Sequence, residues 1–465
     1  MRTRLRRRRA TGVALVAAAL LSAVAACGTN TGAADDPRTV TVWNLDGQPD
    51  RLAAVKKINE KFTRRTGVRI DEVAVQENQL PALVASAAVS GTLPDLISGL
   101  PLAYLRQLEQ QRLLDTRAAA EVVRRLQPAT FTKQALQLTR DGQSQLGVPS
   151  DAWSQVLYYR KDLFAQRGLE PPTSYAAIQR AAQVLTSGER TGITLATDPA
   201  DPFTQQTFEW VALGNDCQLV DAQGTVQIDS KACRTTFDLY SDLARRYSPQ
   251  GTQTVDSTRA TYFAGQAAMT IWSTFLLDEL GGLRDDARPT CPECSRGPEW
   301  LADNTGIVIA VQGPDGSRPV GYGEIASWGL LDGAVPATTD YVEYMMSEGY
   351  QAALAIAPEG KYPVRRGTPQ APEQFVKAWP ALPAGVDRKK PLAEIYGRAT
   401  IDQLADATGT MQRWAIPQGQ GALLGPTVAE LVLPKALSAL AGGEPPAETA
   451  SATRDAVEEI GRSIR

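Results

Sequence analysis

The 465-residue chain contains no histidine. Without an imidazole there is no Ser-His-Asp or Cys-His pair to activate a nucleophile, no zinc-protease helix and no histidine-centred metal site. Phosphate-cradling glycine loops are missing as well. No GxxxxGK[ST] occurs, no GxGxxG follows a predicted strand, and the GxG pairs at 321–323 and 419–421 stand alone. A nucleotide-using enzyme is unsupported, and no cofactor and no metal are expected. Aromatic residues are few, at 6%, so each of the eight tryptophans carries weight as a marker. The 43% hydrophobic content is that of a folded chain, and the length allows two or three domains.

Basic residues are concentrated where acids are absent. Six arginines (Arg2, Arg4 and Arg6 to Arg9) open the chain and are followed by an apolar run, Ala10 to Ala26, too short to span a membrane comfortably. This is the pattern of a secretory signal peptide. Its end, Val24-Ala25-Ala26-Cys27, looks like a bacterial lipobox, which makes 1–26 the signal peptide and Cys27 the lipidated residue. Residues 27–37 then read as a flexible tether, and acyl chains on Cys27 would hold the protein to the extracellular face of the cell membrane. Removing the leader turns a net charge of −3 into 42 bases against 51 acids, net −9. An acidic mature chain argues against a nucleic-acid partner.

Four further cysteines, Cys217, Cys233, Cys291 and Cys294, form an even set in an oxidising compartment. Three connectivities are possible, and the sequence-local one (217 with 233, 291 with 294) is favoured. Loop-like flanks around Cys291-Pro292-Glu293-Cys294 argue for a structural staple rather than a redox centre, and zinc would lack a second ligand pair.

Along the body, strands and helices alternate. Thr39 to Trp43, Val68 to Val75, Pro94 to Ile97, Leu157 to Tyr159, Gly192 to Ala196, Ala268 to Trp272 and Gly306 to Val311 read as strands. Leu52, Val55, Ile58 and Phe62 repeat at helical spacing, with Asp50 as the expected cap and Gly67 as the stop. Leu80 to Val89, Ser174 to Leu185 and Ser230 to Arg246 read as further helices. Such alternation implies an α/β architecture with largely parallel sheets.

Two stretches carry a family resemblance. Residues 148–164 (VPSDAWSQVLYYRKDLF), followed by GLEPP at 168–172, and residues 262–272 (YFAGQAAMTIW) resemble the extracellular solute-binding proteins of ABC importers. The resemblance is to their carbohydrate-binding branch, which includes maltose-binding protein. Arg160, where the family usually has asparagine, and the CxxC loop are departures. The resemblance implies a two-lobe periplasmic-binding-protein-like fold (type II), with ligand in a cleft between lobes joined by crossovers. We expect lobe 1 at 38–150 and 322–362, and lobe 2 at 151–321 and 363–465. It further implies a monomer that captures a small-molecule carbohydrate by hinge closure and delivers it to ABC permease subunits.

Ligands of open α/β sheets sit beyond the carboxyl ends of strands. Those ends are Trp43-Asn44, Ser98, Ser150 to Trp153 (with Asp151) and Trp272-Ser273. The family match covers the same places and adds Asp201-Pro202-Phe203 and the region of Glu324 and Trp328. Tryptophan faces suit the C–H faces of sugars, and carboxylates suit their hydroxyls. Arg365 is a further candidate, with Gln76 and Asn78 weaker ones on a loop. Replacing Trp272 or Asp151 with alanine is expected to weaken binding with little effect on the fold. Binding should vary little between pH 5 and 8 unless a cleft carboxylate is shifted upward. A secreted glycosidase using Asp151 with Asp201 or Glu324 is the enzyme alternative, and a non-transport surface adhesin the third.

Overall fold

Strand β1 (Thr39–Asn44) realises the β-branched run, with Val40, Val42 and Asn44 buried and the intervening residues half-exposed. It pairs in parallel with β2 (Arg69–Ala74) and β3 (Leu96–Leu100). The computed structural model describes residues 38–464; the signal peptide, Cys27 and the tether expected at 27–37 lie outside the described residues. The helix linking β1 to β2, Pro49–Thr66, buries Val55, Ile58 and Phe62. Gly67 ends it at φ 76°, donating its N–H to the Thr63 carbonyl. Asp50 is not the cap: Pro49 already starts the helix, and Asp50 lies in the first turn, where its charge favours the positive helix end.

Strand β4 (Val148–Arg160) runs through 13 residues, all buried but Trp153. It is longer than the expected Leu157 to Tyr159 because both faces are covered, which erases the alternation that marks a half-buried strand. Its last six residues pair with β5 (Met269–Ser273) and β6 (Thr305–Val308). Its first half pairs with β7 (Gly323–Leu330), which in turn pairs with β3. β4 thus belongs to the sheets of both lobes. All four of these pairings are antiparallel, so the expectation of largely parallel sheets holds only for β1 to β3. Ser150 to Trp153 lie inside β4 rather than at a strand end, beside a register shift between Pro149 and Asp151. Gly192 to Ala196 contributes only the isolated parallel bridge Thr194 to Thr270, next to Thr191 to Ala267.

The C-terminal region does not fall wholly in the second lobe, as the 363–465 assignment required. Helix Gly421–Ala429 packs along Leu102–Gln110 of the first lobe, where Gly425 admits the Ala103 carbonyl at a distance a side chain would block. Thr132 donates to the Val364 carbonyl and Arg366 to that of Thr130, which ties the residues after 363 to the first lobe too. Helices Val432–Ala441 and Pro446–Ser463 do pack on second-lobe helices, Pro202–Leu213 and Lys231–Arg246.

Both sequence-local disulfides form, Cys217–Cys233 and Cys291–Cys294. The two departures from the family pattern meet each other. Arg160 is buried, holds Asp162 through two 2.8 Å bonds, stacks over Trp300 and lies 3.8 Å from Glu293 inside the CxxC loop. Cys217 and Cys233 are 16 residues apart, a loop whose closure stabilises by about 3 kcal/mol. We expect the Cys217→Ala/Cys233→Ala variant to lose about that much in urea denaturation. Opening the three-residue Cys291–Cys294 loop should cost much less.

Candidate ligand cleft

The carboxyl ends of the three parallel strands converge on one space between the lobes. Asp46 follows β1, Glu77 follows β2, and Gly99 and Pro101 close β3. Asp151 and Trp153 of β4, Glu324 of β7 and Lys361 complete the first-lobe wall. The opposite wall is Phe203, Gln206, Arg259, Trp272, Ser273 and Phe275, with Asp278, Glu279 and Arg284. The cleft encloses about 380 Å³.

Its aromatic residues pair up. Trp272 lies 5.5 Å from Phe203 between ring centroids, and Trp153 lies 5.9 Å from Tyr322 and 6.3 Å from Phe275. Besides Trp153 with Phe275, two contacts involving charged groups cross the cleft. The Arg51 guanidinium sits 4.8 Å over the Phe275 ring, and Arg284 is 3.6 Å from Asp50. Charged groups tie the first-lobe wall together: Lys361 lies 2.9 Å from Asp46 and 3.7 Å from Asp151, and Arg51 also pairs with Asp46. Burial alone would raise the Asp46 carboxyl, but Lys361 and Arg51 overcome it and hold that group well below the carboxylate range.

Six of the twelve residues expected at the site line this cleft: Asp151, Trp153, Phe203, Trp272, Ser273 and Glu324. Asn44, Ser98 and Trp328 instead line a smaller chamber of about 60 Å³ behind it, which shares Asp46, Asp151 and Lys361 with the cleft. There Asn44 donates to Glu72, the Trp328 indole points at the Met346 sulfur, and the Ser98 hydroxyl has no hydrogen-bond partner among the described residues. Three expectations need correction. Trp43 lies on the β1 face opposite Asn44 and packs against the core. Asp201 caps the helix it precedes, accepting from the Phe203 N–H at 2.9 Å. Arg365 is buried in the first lobe, where it donates to the Leu126 and Met346 carbonyls and to Thr130 Oγ1. Gln76 and Asn78 are exposed, and the residue between them, Glu77, is the one in the cleft.

Glu324 is committed to the protein. Its oxygens accept from the Leu102 N–H at 2.9 Å and from Arg413, which also donates to Glu209 at 3.1 Å. All three side chains are buried, and Arg413 also lies 4.7 Å over the Tyr322 ring. No sequence pattern pointed to Arg413, whose two acid partners lie 204 and 89 residues away. Arg51, Lys361, Phe275 and Arg284 were also missed; only Phe275, two residues past Ser273, was within reach of a wider strand-end window.

The condition for pH-sensitive binding is met. Burial, followed by the charges of Glu324 and Asp201, pushes the Glu77 carboxyl up to about 7. Burial pushes Glu279 up to about 7 despite Arg259, 3.1 Å away.

Two α/β lobes that share a strand, with ring faces and carboxylates from both lining one cleft, define a two-lobed ligand-binding protein. Residues 57–384 match the family of bacterial extracellular solute-binding proteins, and the chain belongs to that family. It is 24% identical over 411 residues to the putative ABC transporter periplasmic-binding protein YcjN of Escherichia coli (strain K12), covering 84% of this chain and 90% of that one. The GacH receptor of Streptomyces glaucescens GLA.O, solved unliganded and with acarbose, shares the fold at a TM-score of 0.66 and 19% identity, over 91% of this chain and 98% of that one. Maltose-bound MalE3 of T. maritima does so at a TM-score of 0.70 and 15% identity, over 91% and 99%.

Proposed function

We propose that this protein is the membrane-anchored extracellular solute-binding subunit of an ABC importer, capturing a carbohydrate by hinge closure and delivering it to the permease. The observation that carries the reading is the cleft wall. Trp153 and Trp272 come from opposite lobes, with carboxylates beside them, so a sugar ring stacked on one and bonded to the other bridges the lobes. Closure then follows from contacts that only the closed form makes. Acarbose and maltose in the fold relatives support a carbohydrate as the solute. Anchoring through Cys27 and docking on permease subunits belong to the same proposal.

Binding without turnover is favoured over glycoside hydrolysis by how the suspected acids are engaged. Glu324 is spent on Arg413 and Leu102, and Asp201 on its own helix. Incubation with candidate oligosaccharides separates the readings: unchanged, stoichiometric binding supports the importer subunit, whereas released products would overturn it in favour of a glycosidase. In a thermal-unfolding screen against a sugar panel, a true ligand at 100 times its Kd should stabilise by about 2.7 kcal/mol. A panel with no shift would count against the carbohydrate assignment.

A further inference from the structure

The cations that line the cleft are already matched to acids. Arg51 and Lys361 share Asp46, Arg259 meets both Glu279 oxygens at 3.1 Å, and Arg284 lies among Asp50, Asp278 and Asp286. Glu77 has no such partner. It sits on the short turn Glu77–Gln79 after β2, and its side chain makes no hydrogen bond or ion pair among the described residues. The charged and titratable groups around it are Glu324 on β7, Asp201 at the start of the helix across the cleft, Tyr104 and Tyr322, with Arg413 already engaged by two acids.

An anion withdrawn from water with like charges as neighbours is destabilised unless a cation or donor reaches it. The hydroxyls of a neutral sugar can donate to the carboxylate but leave its charge without a counter-charge. A ligand ammonium supplies that counter-charge through a charge-assisted hydrogen bond, and Trp272 and Phe203 line the opposite wall of the same cleft.

We propose that Glu77 is a specificity-determining residue of the cleft, and that the solute is a sugar bearing a protonated amine held by this carboxylate. The inference rests on the sugar-binding reading above. Its test is calorimetry at pH 7.0 with matched probes: glucosamine against glucose, galactosamine against galactose, and the glucosamine disaccharide against cellobiose. The wild-type protein should prefer the amine of at least one pair by about tenfold or more, since one tenfold step is about 1.4 kcal/mol. The ratio of affinities should fall towards one in Glu77→Gln, and Glu77→Asp should recover part of it. Protonation removes the charge, so the preference should shrink as the pH falls from 7 to 5. Equal or better binding of the neutral sugars, or a preference that survives Glu77→Gln, overturns this inference alone. Failure of every amino and neutral sugar to bind overturns the sugar-binding reading and this inference with it.

Discussion

Replacing Arg413 with alanine will destabilise the protein by about 4 kcal/mol, because it strips the cation from two buried carboxylates. Glu209 and Glu324 reach Arg413 from opposite lobes, and neither has solvent to replace it. The loss should depend on pH. Burial holds the Glu324 carboxyl above its ordinary value even beside Arg413, and removing the guanidinium raises it further. A carboxyl whose folded pKa lies above its unfolded value binds more protons when folded, so its stabilising contribution is present at low pH and lost as the pH rises through the folded value. The deficit of Arg413→Ala should therefore be largest at neutral pH and shrink on acidification. Urea denaturation at pH 7 and pH 5 checks both parts; an equal loss at the two values would rule out a buried-charge origin.

Trp272→Ala should weaken ligand binding and, against the sequence-based expectation, also cost about 3 kcal/mol of stability. Trp272 is only 8% exposed, packs against Phe203 and donates its indole N–H to the Val255 carbonyl at 3.2 Å. Trp153 is half-exposed, so Trp153→Ala reports on binding with less effect on the fold. Losing roughly 80 Å² of stacked ring face at about 25 cal/mol/Å² amounts to about 2 kcal/mol, or about thirtyfold in Kd. Calorimetry with the ligand found in the thermal screen, beside urea curves for both variants, separates the two effects. Unchanged affinity in both would remove the tryptophans from the site.

Local signals carried further for the elements than for the site. The β-branched run of β1 and the 3–4 spacing of Val55, Ile58 and Phe62 mark their elements because only short-range sterics and one buried face are involved. Ser174 and Ser230, the first residues of two expected helices, turn out to be their side-chain N-caps. Strand-end reasoning pointed to Trp272 and Ser273, which line the cleft, whereas Trp153 lines it from the interior of β4. It failed at Trp43, where the pleat turns the side chain away from the cleft, and at Arg365, whose buried partners, the Leu126 and Met346 carbonyls and the Thr130 hydroxyl, come from two distant segments. Lys361 and Arg413 owe their roles to pairings between distant segments, which no window of sequence contains.

Strand β7 has a consequence for how the chain is assembled. Residues 323–330 lie between β3 and β4, so the first sheet stays split until residue 330 is available. Up to that point β3 and the first half of β4 each present an open edge, the kind of surface that templates pairing with other chains. The first lobe is therefore not a vectorial folding unit: synthesis of its N-terminal 150 residues leaves it incomplete. Its final contacts wait on a late segment, and the loop closed by that segment spans almost the whole second lobe.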